Sequence, residues 1–193
     1  MKRTLLYILL AIIALPMVCS CGKEDEFEQD NQDTSEITHD PDRKILVAYF
    51  SATGNTQRLA EQIIQATGAD AFRIEAANPY ASNPYDDSDR IQNESYNNLR
   101  PEVATFLDNV EDYDAIFIGS PIWWHNPAMV TCTFLEHYNL EGKIVIPFFT
   151  YGSTTYLQQS LDKIYEVTPK STHLRTYTGG SVETWLKDIH IIP

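Results

Sequence analysis

Short apolar runs alternate with segments of helical periodicity along most of the chain. The first run, at 44–50, is apolar after its leading lysine, as expected for a strand buried on both faces of a parallel sheet. A polar loop at 51–56 follows, and Leu59 and Ile63 then recur at helical spacing until Gly68 ends the pattern. The same rhythm predicts further strands at 71–75, 115–119, 144–149 and 172–178, and further helices at 101–110, 129–138, 156–167 and 182–189.

Five strand and helix alternations predict an α/β fold with a doubly wound, five-stranded parallel sheet. Right-handed crossovers place helices on both faces of such a sheet, which keeps its apolar strands away from water. Ligands of open parallel sheets bind beyond the carboxyl ends of the strands. The loops at 51–56, 120–126 and 150–155 follow the first, third and fourth predicted strands, so we expect the binding site there.

The loop 51–56 has the composition of an anion site. Hydroxyl and amide side chains surround Gly54, which allows a tight turn and close approach of a ligand to the backbone. The loop opens directly into a predicted helix, whose free amide groups and dipole can bind a phosphate. An ordinary helix cap, in which a hydroxyl accepts from the first amides, is the alternative interpretation. The loop residues are Ser51, Thr53, Gly54, Asn55 and Thr56.

Length and charge restrict the function further. The 193 residues fit one globular domain with an extension, and the formal net charge is -13 because 27 acidic residues face 14 basic ones. Such a field repels nucleic acid phosphates, so we expect no nucleic-acid partner.

The first 20 residues have the features of an export signal. Lys2 and Arg3 precede an apolar run from Leu5 to Leu15 that is too short to span a bilayer. The end of this segment, at 18–21, resembles the lipobox of bacterial lipoproteins, which implies acylation of Cys21. An ordinary cleaved secretory signal is the alternative. The resemblance implies a bacterial cell-envelope protein, at the periplasmic face or the cell surface, that contacts the membrane only through its N-terminal lipid.

The segment 21–43 is acidic and polar, and it is expected to be a disordered tether because it cannot bury enough apolar surface to fold. The folded domain is therefore expected at 44–193. Its one cysteine, Cys132, lies in an apolar helical pattern and is expected to fill the core rather than to act as a nucleophile.

The sequence from about 44 to 189 resembles the flavodoxin family, in particular short-chain flavodoxins and flavodoxin-like bacterial oxidoreductases. The motif at 51–56 is similar to the flavodoxin phosphate loop, and the stretches at 98–102, 119–124, 133–136 and 143–148 extend the likeness. The resemblance implies the strand order 2-1-3-4-5 and FMN as the cofactor. It implies a redox partner protein or a nicotinamide donor, with no single side chain required for catalysis.

The resemblance also implies roles for the other two loops. Trp123 and Trp124 would supply flat apolar surface to the flavin ring, although two core aromatics closing the sheet edge is the competing interpretation. Pro121 and Ile122 would bring backbone groups to the ring edge. The remaining residues implied at the cofactor are His125, Thr150, Tyr151, Gly152 and Ser153.

The sequence departs from the family at two places. His125 stands where the group usually has glycine, and the loop 150–154 replaces one usually richer in histidine and glycine. Three hypotheses stay open: an FMN-binding electron-transfer protein or oxidoreductase of the envelope, an NAD(P)H-dependent quinone or related reductase, and a flavin-free binding module on the same scaffold. The histidines lack metal-site spacing, so no metal site is expected, and no Gly-x-Ser-x-Gly motif supports a hydrolase.

Overall fold

A parallel sheet forms the centre of the computed structural model, which describes residues 37–193. Its strands are β1 (Ile45–Tyr49), β2 (Asp70–Arg73), β3 (Ala115–Trp123), β4 (Asn126–Pro127), β5 (Ile144–Thr150) and β6 (Thr172–His173). The strands are ordered β2-β1-β3-β5-β6 with every neighbouring pair parallel, and β4 pairs antiparallel with the end of β3. Apart from the two-residue β4, this is the predicted order 2-1-3-4-5, and the predicted α/β fold is confirmed.

Helices cover both faces of the sheet. They are α1 (Asn55–Thr67), α2 (Ser88–Tyr96), α3 (Met129–Glu136), α4 (Leu157–Val167) and α5 (Val182–Asp188). Successive side chains of β3 point to opposite faces, so Ile116 and Ile118 join the core beside α3 and α4, whereas Phe117 joins the core beside α1 and α5. Burial on both faces explains why the strand sequences are continuously apolar.

The predicted helix at 101–110 is wrong. Val103 forms an antiparallel bridge with Ala76, and the amide of Ala77 donates to the carbonyl of Glu102 at 2.8 Å. Residues 102–104 are therefore extended and paired with the chain that follows β2, and these backbone hydrogen bonds replace those of a helix.

A helix lies earlier instead, at α2, inside a polar stretch where the sequence pattern predicts no helix. Its buried side chains are those of Ile91, Glu94 and Ser95, two of which are polar. Glu94 accepts from Arg90 one turn earlier at 2.8 Å and from the Tyr80 hydroxyl at 2.6 Å. Because polar contacts rather than an apolar stripe attach this helix to the domain, its sequence lacks the periodicity that identifies helices.

The last predicted strand, 172–178, is shorter than expected. The ladder with β5 covers only Thr172 and His173, and one isolated parallel bridge joins Phe148 to Tyr177 farther along. The chain between these points leaves the ladder.

Part of the predicted tether lies within the described chain and contacts the domain. His39 Nδ1 is 3.1 Å from the carbonyl oxygen of Ile191, Arg43 Nη1 donates to that of His190 at 3.5 Å, and Ile37 packs against the core beside α1 and α5. The predicted signal segment, the first part of the tether and Cys21 lie outside the described residues.

Cys132 is fully buried in α3. Burial raises the pKa of its thiol to about 12, so the thiol stays protonated near neutral pH and fills core space as predicted. Within residues 37–193, no helix combines the length and the apolar character needed to cross a membrane.

Candidate functional site

The loop 51–56 connects β1 to α1 by a tight turn at the carboxyl edge of the sheet. Gly54 has φ +82°, a backbone conformation that favours glycine, and its amide donates to Ser51 Oγ at 3.1 Å. Thr56 Oγ1 lies 2.8 Å from Thr150 Oγ1, which joins the loop to the end of β5. No side chain of the described chain caps α1, so the amides of its first turn remain available to an anion.

The two residues after β3 form a hairpin turn that the sequence did not predict. Trp123 pairs with Asn126 across the β3 and β4 hairpin, and the intervening Trp124 and His125 have φ of 46° and 77°. Two consecutive positive φ values define a type I′ turn, whose second position strongly favours glycine. This geometry is the physical reason why glycine suits the position of His125, and it shows that histidine is accommodated with backbone strain.

Neighbouring helices fix this tryptophan turn (residues 123–126) in place. The Ser95 hydroxyl donates to the carbonyl of Trp124 at 2.6 Å and accepts from Asn126 Nδ2 at 2.9 Å. From α4, the hydroxyl of Ser160 donates to the carbonyl of His125 at 3.4 Å. The His125 ring also stacks on Tyr156 at a centroid distance of 3.7 Å. These contacts offset the strain and hold the turn against α2 and α4.

Replacing Ser95 by alanine tests this bracing. We expect Ser95→Ala to lower the free energy of unfolding by about 1–3 kcal/mol, because it leaves the buried Asn126 amide and the Trp124 carbonyl without their partner. Urea unfolding followed by circular dichroism measures the change. Ser82→Ala, at an exposed serine, is the matched control and should be nearly neutral; equal effects of both variants would contradict the bracing role.

The two tryptophans of the turn have different environments. Trp123 is partly buried, and its ring meets those of Phe50 and Tyr80 edge to face at 5.3 and 5.2 Å. Trp124 is 38% exposed and has Tyr96 as an edge-on neighbour at 6.0 Å. Trp123 is therefore in part a core aromatic at the sheet edge, which was the competing interpretation, whereas Trp124 presents free apolar surface.

Two adjoining cavities lie between these loops. The loop cavity, about 670 Å³, begins at Thr53 and Asn55 beside the start of α1. The tryptophan cavity, about 560 Å³, extends toward Trp124 and His125. Both are lined by Thr53, Tyr85, Ile122, Trp123, Tyr151 and Gly152, so they form one continuous trough.

Among residues 37–193, no lysine, arginine, aspartate or glutamate lines the trough. The described side chains that line it are hydroxyls, amides, aromatics and aliphatics. Burial, and to a lesser extent the neighbouring Tyr177, raise the pKa of Tyr151, so its hydroxyl stays protonated as a donor. One end is thus polar and close to a helix N-terminus, and the other end is aromatic.

The structure brings the predicted site residues to one edge of the sheet. Those that line the trough are Thr53, Asn55, Pro121, Ile122, Trp123, Trp124, His125, Thr150, Tyr151, Gly152 and Ser153. Ser51, Gly54 and Thr56 line neither cavity; Ser51 and Thr56 are buried behind it and shape the turn.

Sequence reasoning missed two other walls of the trough. Tyr85, which is 86% exposed, lines both cavities from the short 3-10 helix Pro84–Asp87. Nothing in its polar surroundings distinguishes it along the sequence. Tyr177, Thr178 and Gly179 line the loop cavity, and these could have been found, because they lie at the carboxyl end of the last predicted strand, at the same edge of the sheet.

The chain was also compared with known proteins. The sequence profile of the family described as flavodoxin matches residues 44–182. No curated protein gives a significant match.

Several solved structures are similar to this chain. A provisionally assigned flavoprotein from Bacteroides eggerthii is 35% identical with a TM-score of 0.69, the match covering 77% of this chain and 99% of that protein. A second one, from Bacteroides uniformis, is 33% identical with a TM-score of 0.67 and covers 75% and 98% of the two chains. A Lactobacillus acidophilus flavoprotein solved in complex with FMN is 24% identical with a TM-score of 0.60 and shares the fold. The match covers 69% of this chain and 91% of that protein.

Proposed function

The chain belongs to the flavodoxin family, and we propose that it binds FMN and transfers electrons through it in the bacterial cell envelope. The observation that carries this proposal is the continuous trough, which begins beside the uncapped start of α1 and ends among aromatic side chains. FMN has the same division, with a phosphate at one end and a planar ring system at the other.

The residues present fit this cofactor. A phosphate beside α1 would meet the first-turn amides, the hydroxyl of Thr53 and the amide group of Asn55. An isoalloxazine ring would meet the aromatic side chains of Trp124 and Tyr151, and this uncharged ring needs no charged partner in the cavity wall. The 35% and 33% identical Bacteroides relatives, which are provisionally assigned as flavoproteins, also support a flavin.

FMN, when bound, supplies the redox chemistry, and the side chains of this protein position it. Thr150 lines the loop cavity, and its hydroxyl joins it to Thr56 of the phosphate loop. Pro121 and Ile122 line the loop cavity near the end of β3, where backbone hydrogen bonds to a flavin edge would select among redox states. No side chain in this arrangement needs to form a covalent bond to a substrate.

The envelope location rests on the N-terminal sequence. The basic start, the apolar run and the small residues before Cys21 support export followed by lipid attachment at that cysteine. The proposed protein is therefore a membrane-anchored electron carrier with a water-exposed domain.

The visible absorption spectrum tests the cofactor. We expect the full-length protein, purified in mild detergent with added FMN and separated from free flavin, to be yellow with one FMN per chain. A colourless product would refute the proposal and favour the flavin-free binding module. Anaerobic mixing with NADPH then distinguishes the remaining functions: rapid bleaching indicates a direct NADPH-dependent reductase, and a stable spectrum indicates a carrier that needs a partner protein.

A further inference from the structure

An arginine without a carboxylate partner lies beside the phosphate loop. Arg58, in the first turn of α1, donates from Nη2 to Asn55 Oδ1, and a Cβ built on Gly54 would lie 3.9 Å from its Nη1. Asn55 in turn donates from Nδ2 to Thr53 Oγ1 at 3.2 Å. The guanidinium is therefore next to the turn where the phosphate of FMN is proposed to bind, and it connects through Asn55 to the cavity wall.

The charge of Arg58 has no counter-ion in the described part of the protein. Within residues 37–193, other arginines lie within 4.0 Å of a carboxylate, namely Arg73, Arg90, Arg100 and Arg175, but Arg58 is in no salt bridge. The chain carries a formal net charge of -13, so carboxylates are abundant. An exposed guanidinium that pairs only with a neutral amide is free to turn toward an anionic ligand.

The neighbouring Arg73 shows what a structural role looks like at the same loop. Its Nη2 donates to the carbonyl of Ser51 at 3.1 Å, its Nη1 donates to Gln57 Oε1 at 2.9 Å, and its Nε lies 3.6 Å from Glu75. The guanidinium donors of Arg73 are thus bonded to protein groups, and Arg73 supports the loop backbone. Arg58 makes one such contact with the residues that the structure describes, which leaves most of its donors available.

We propose that Arg58 donates to the cofactor phosphate and makes this site selective for the phosphorylated flavin over riboflavin. The inference rests on the proposed FMN function. A phosphate monoester carries roughly 1.5 to 2 negative charges at pH 7, and the planar fork of a guanidinium can donate to two of its oxygens at once. This contact supplies the positive charge that the trough walls lack.

The test compares FMN with riboflavin, which differs only in the missing phosphate. Flavin-free full-length protein in mild detergent is titrated with each ligand, and quenching of flavin fluorescence gives the dissociation constants. Arg58→Gln should weaken FMN binding about tenfold and leave riboflavin binding unchanged, because a charge-assisted contact to phosphate is lost. The FMN affinity of Arg58→Lys should lie between those of the original protein and of Arg58→Gln, because lysine keeps the charge without the planar fork.

Lys170→Gln is the matched control for charge. Lys170 is exposed, pairs with Glu141 at 3.0 Å and precedes β6, at the edge of the sheet opposite to the site. The Lys170→Gln substitution changes the net charge by the same amount as Arg58→Gln and should leave both dissociation constants unchanged. Added salt should weaken FMN binding less in Arg58→Gln than in the original protein.

The outcomes separate the two levels of the proposal. Unchanged FMN affinity in a folded Arg58→Gln variant, or equal losses for FMN and riboflavin, would overturn the role of Arg58 while the FMN function stands. A similar loss in Lys170→Gln would also overturn it, because the effect would then be one of overall charge. Failure of the original protein to bind either flavin would refute the FMN function, and the inference with it.

Discussion

Gly119→Ala is expected to lower the free energy of unfolding by about 3 kcal/mol, an amount typical of severe overpacking in a core. Gly119 lies in the central strand β3 between Tyr49 on β1 and Phe148 on β5. A Cβ at this position would lie 2.3 and 2.5 Å from two ring carbons of Phe148 and 2.8 Å from Cβ of Tyr49. The Phe148 ring is fully buried, so it cannot avoid the clash by turning out into solvent.

The measurement is urea unfolding of Gly119→Ala, Phe148→Leu and the double variant. Because the smaller leucine relieves the clash, the double variant should lose less stability than the sum of the two single variants. Gly152→Ala is the matched control, since no atom of the described part of the chain lies within 4 Å of its added Cβ. Additive losses in the double variant, or a Gly119→Ala variant as stable as Gly152→Ala, would show that a side chain at position 119 does not clash with the Phe148 ring.

Gly119 also connects packing with the site. It is followed directly by Ser120, whose hydroxyl accepts from the amide of Ala128 at 2.9 Å, and then by Pro121 and Ile122 in the cavity wall. Close packing of β3 on β5 at Gly119 therefore sets where this wall leaves the sheet. A variant that separates these strands is expected to disturb the cavity as well as the core.

The central sheet could be predicted from the sequence because its strands are buried on both faces. The runs that become β1, β3 and β5 are apolar for a simple reason: helices cover both sides of each. Because the strands of the predicted sheet are parallel, the loops after the first, third and fourth strands lie at one edge. The location of the candidate site thus followed from topology, whereas the roles of its residues toward FMN came from the family resemblance.

The parts that escaped prediction depend on polar contacts between distant residues. Helix α2 is attached through Glu94 and Ser95, which bind Tyr80 and the tryptophan turn. Such pairs leave no periodic trace in a single sequence. The type I′ turn escaped for a related reason, because its usual Asn-Gly signal is absent and Trp124-His125 stands there.

The double variant Thr53→Ala/Trp124→Ala is expected to lose FMN affinity by several hundred-fold, the largest effect we anticipate. Thr53 lines both cavities near the start of α1 and is exposed, so its loss removes a hydroxyl donor from the phosphate, an effect of about tenfold or more. Trp124 is 38% exposed, and removing its ring deletes an apolar wall that is worth about 2 kcal/mol to a stacked flavin.

Both residues lie at the surface of the domain, so the variant should fold, which circular dichroism checks. Isothermal titration with FMN and riboflavin then assigns each loss to one end of the ligand. Trp124→Ala should weaken both flavins equally, whereas Thr53→Ala should weaken FMN alone, because riboflavin has no phosphate to bind. Thr184→Ala, at an exposed threonine of α5, controls for the loss of a hydroxyl elsewhere. A folded double variant with undiminished FMN affinity would show that the cofactor does not lie along this trough, and the redox assignment would lose its structural basis.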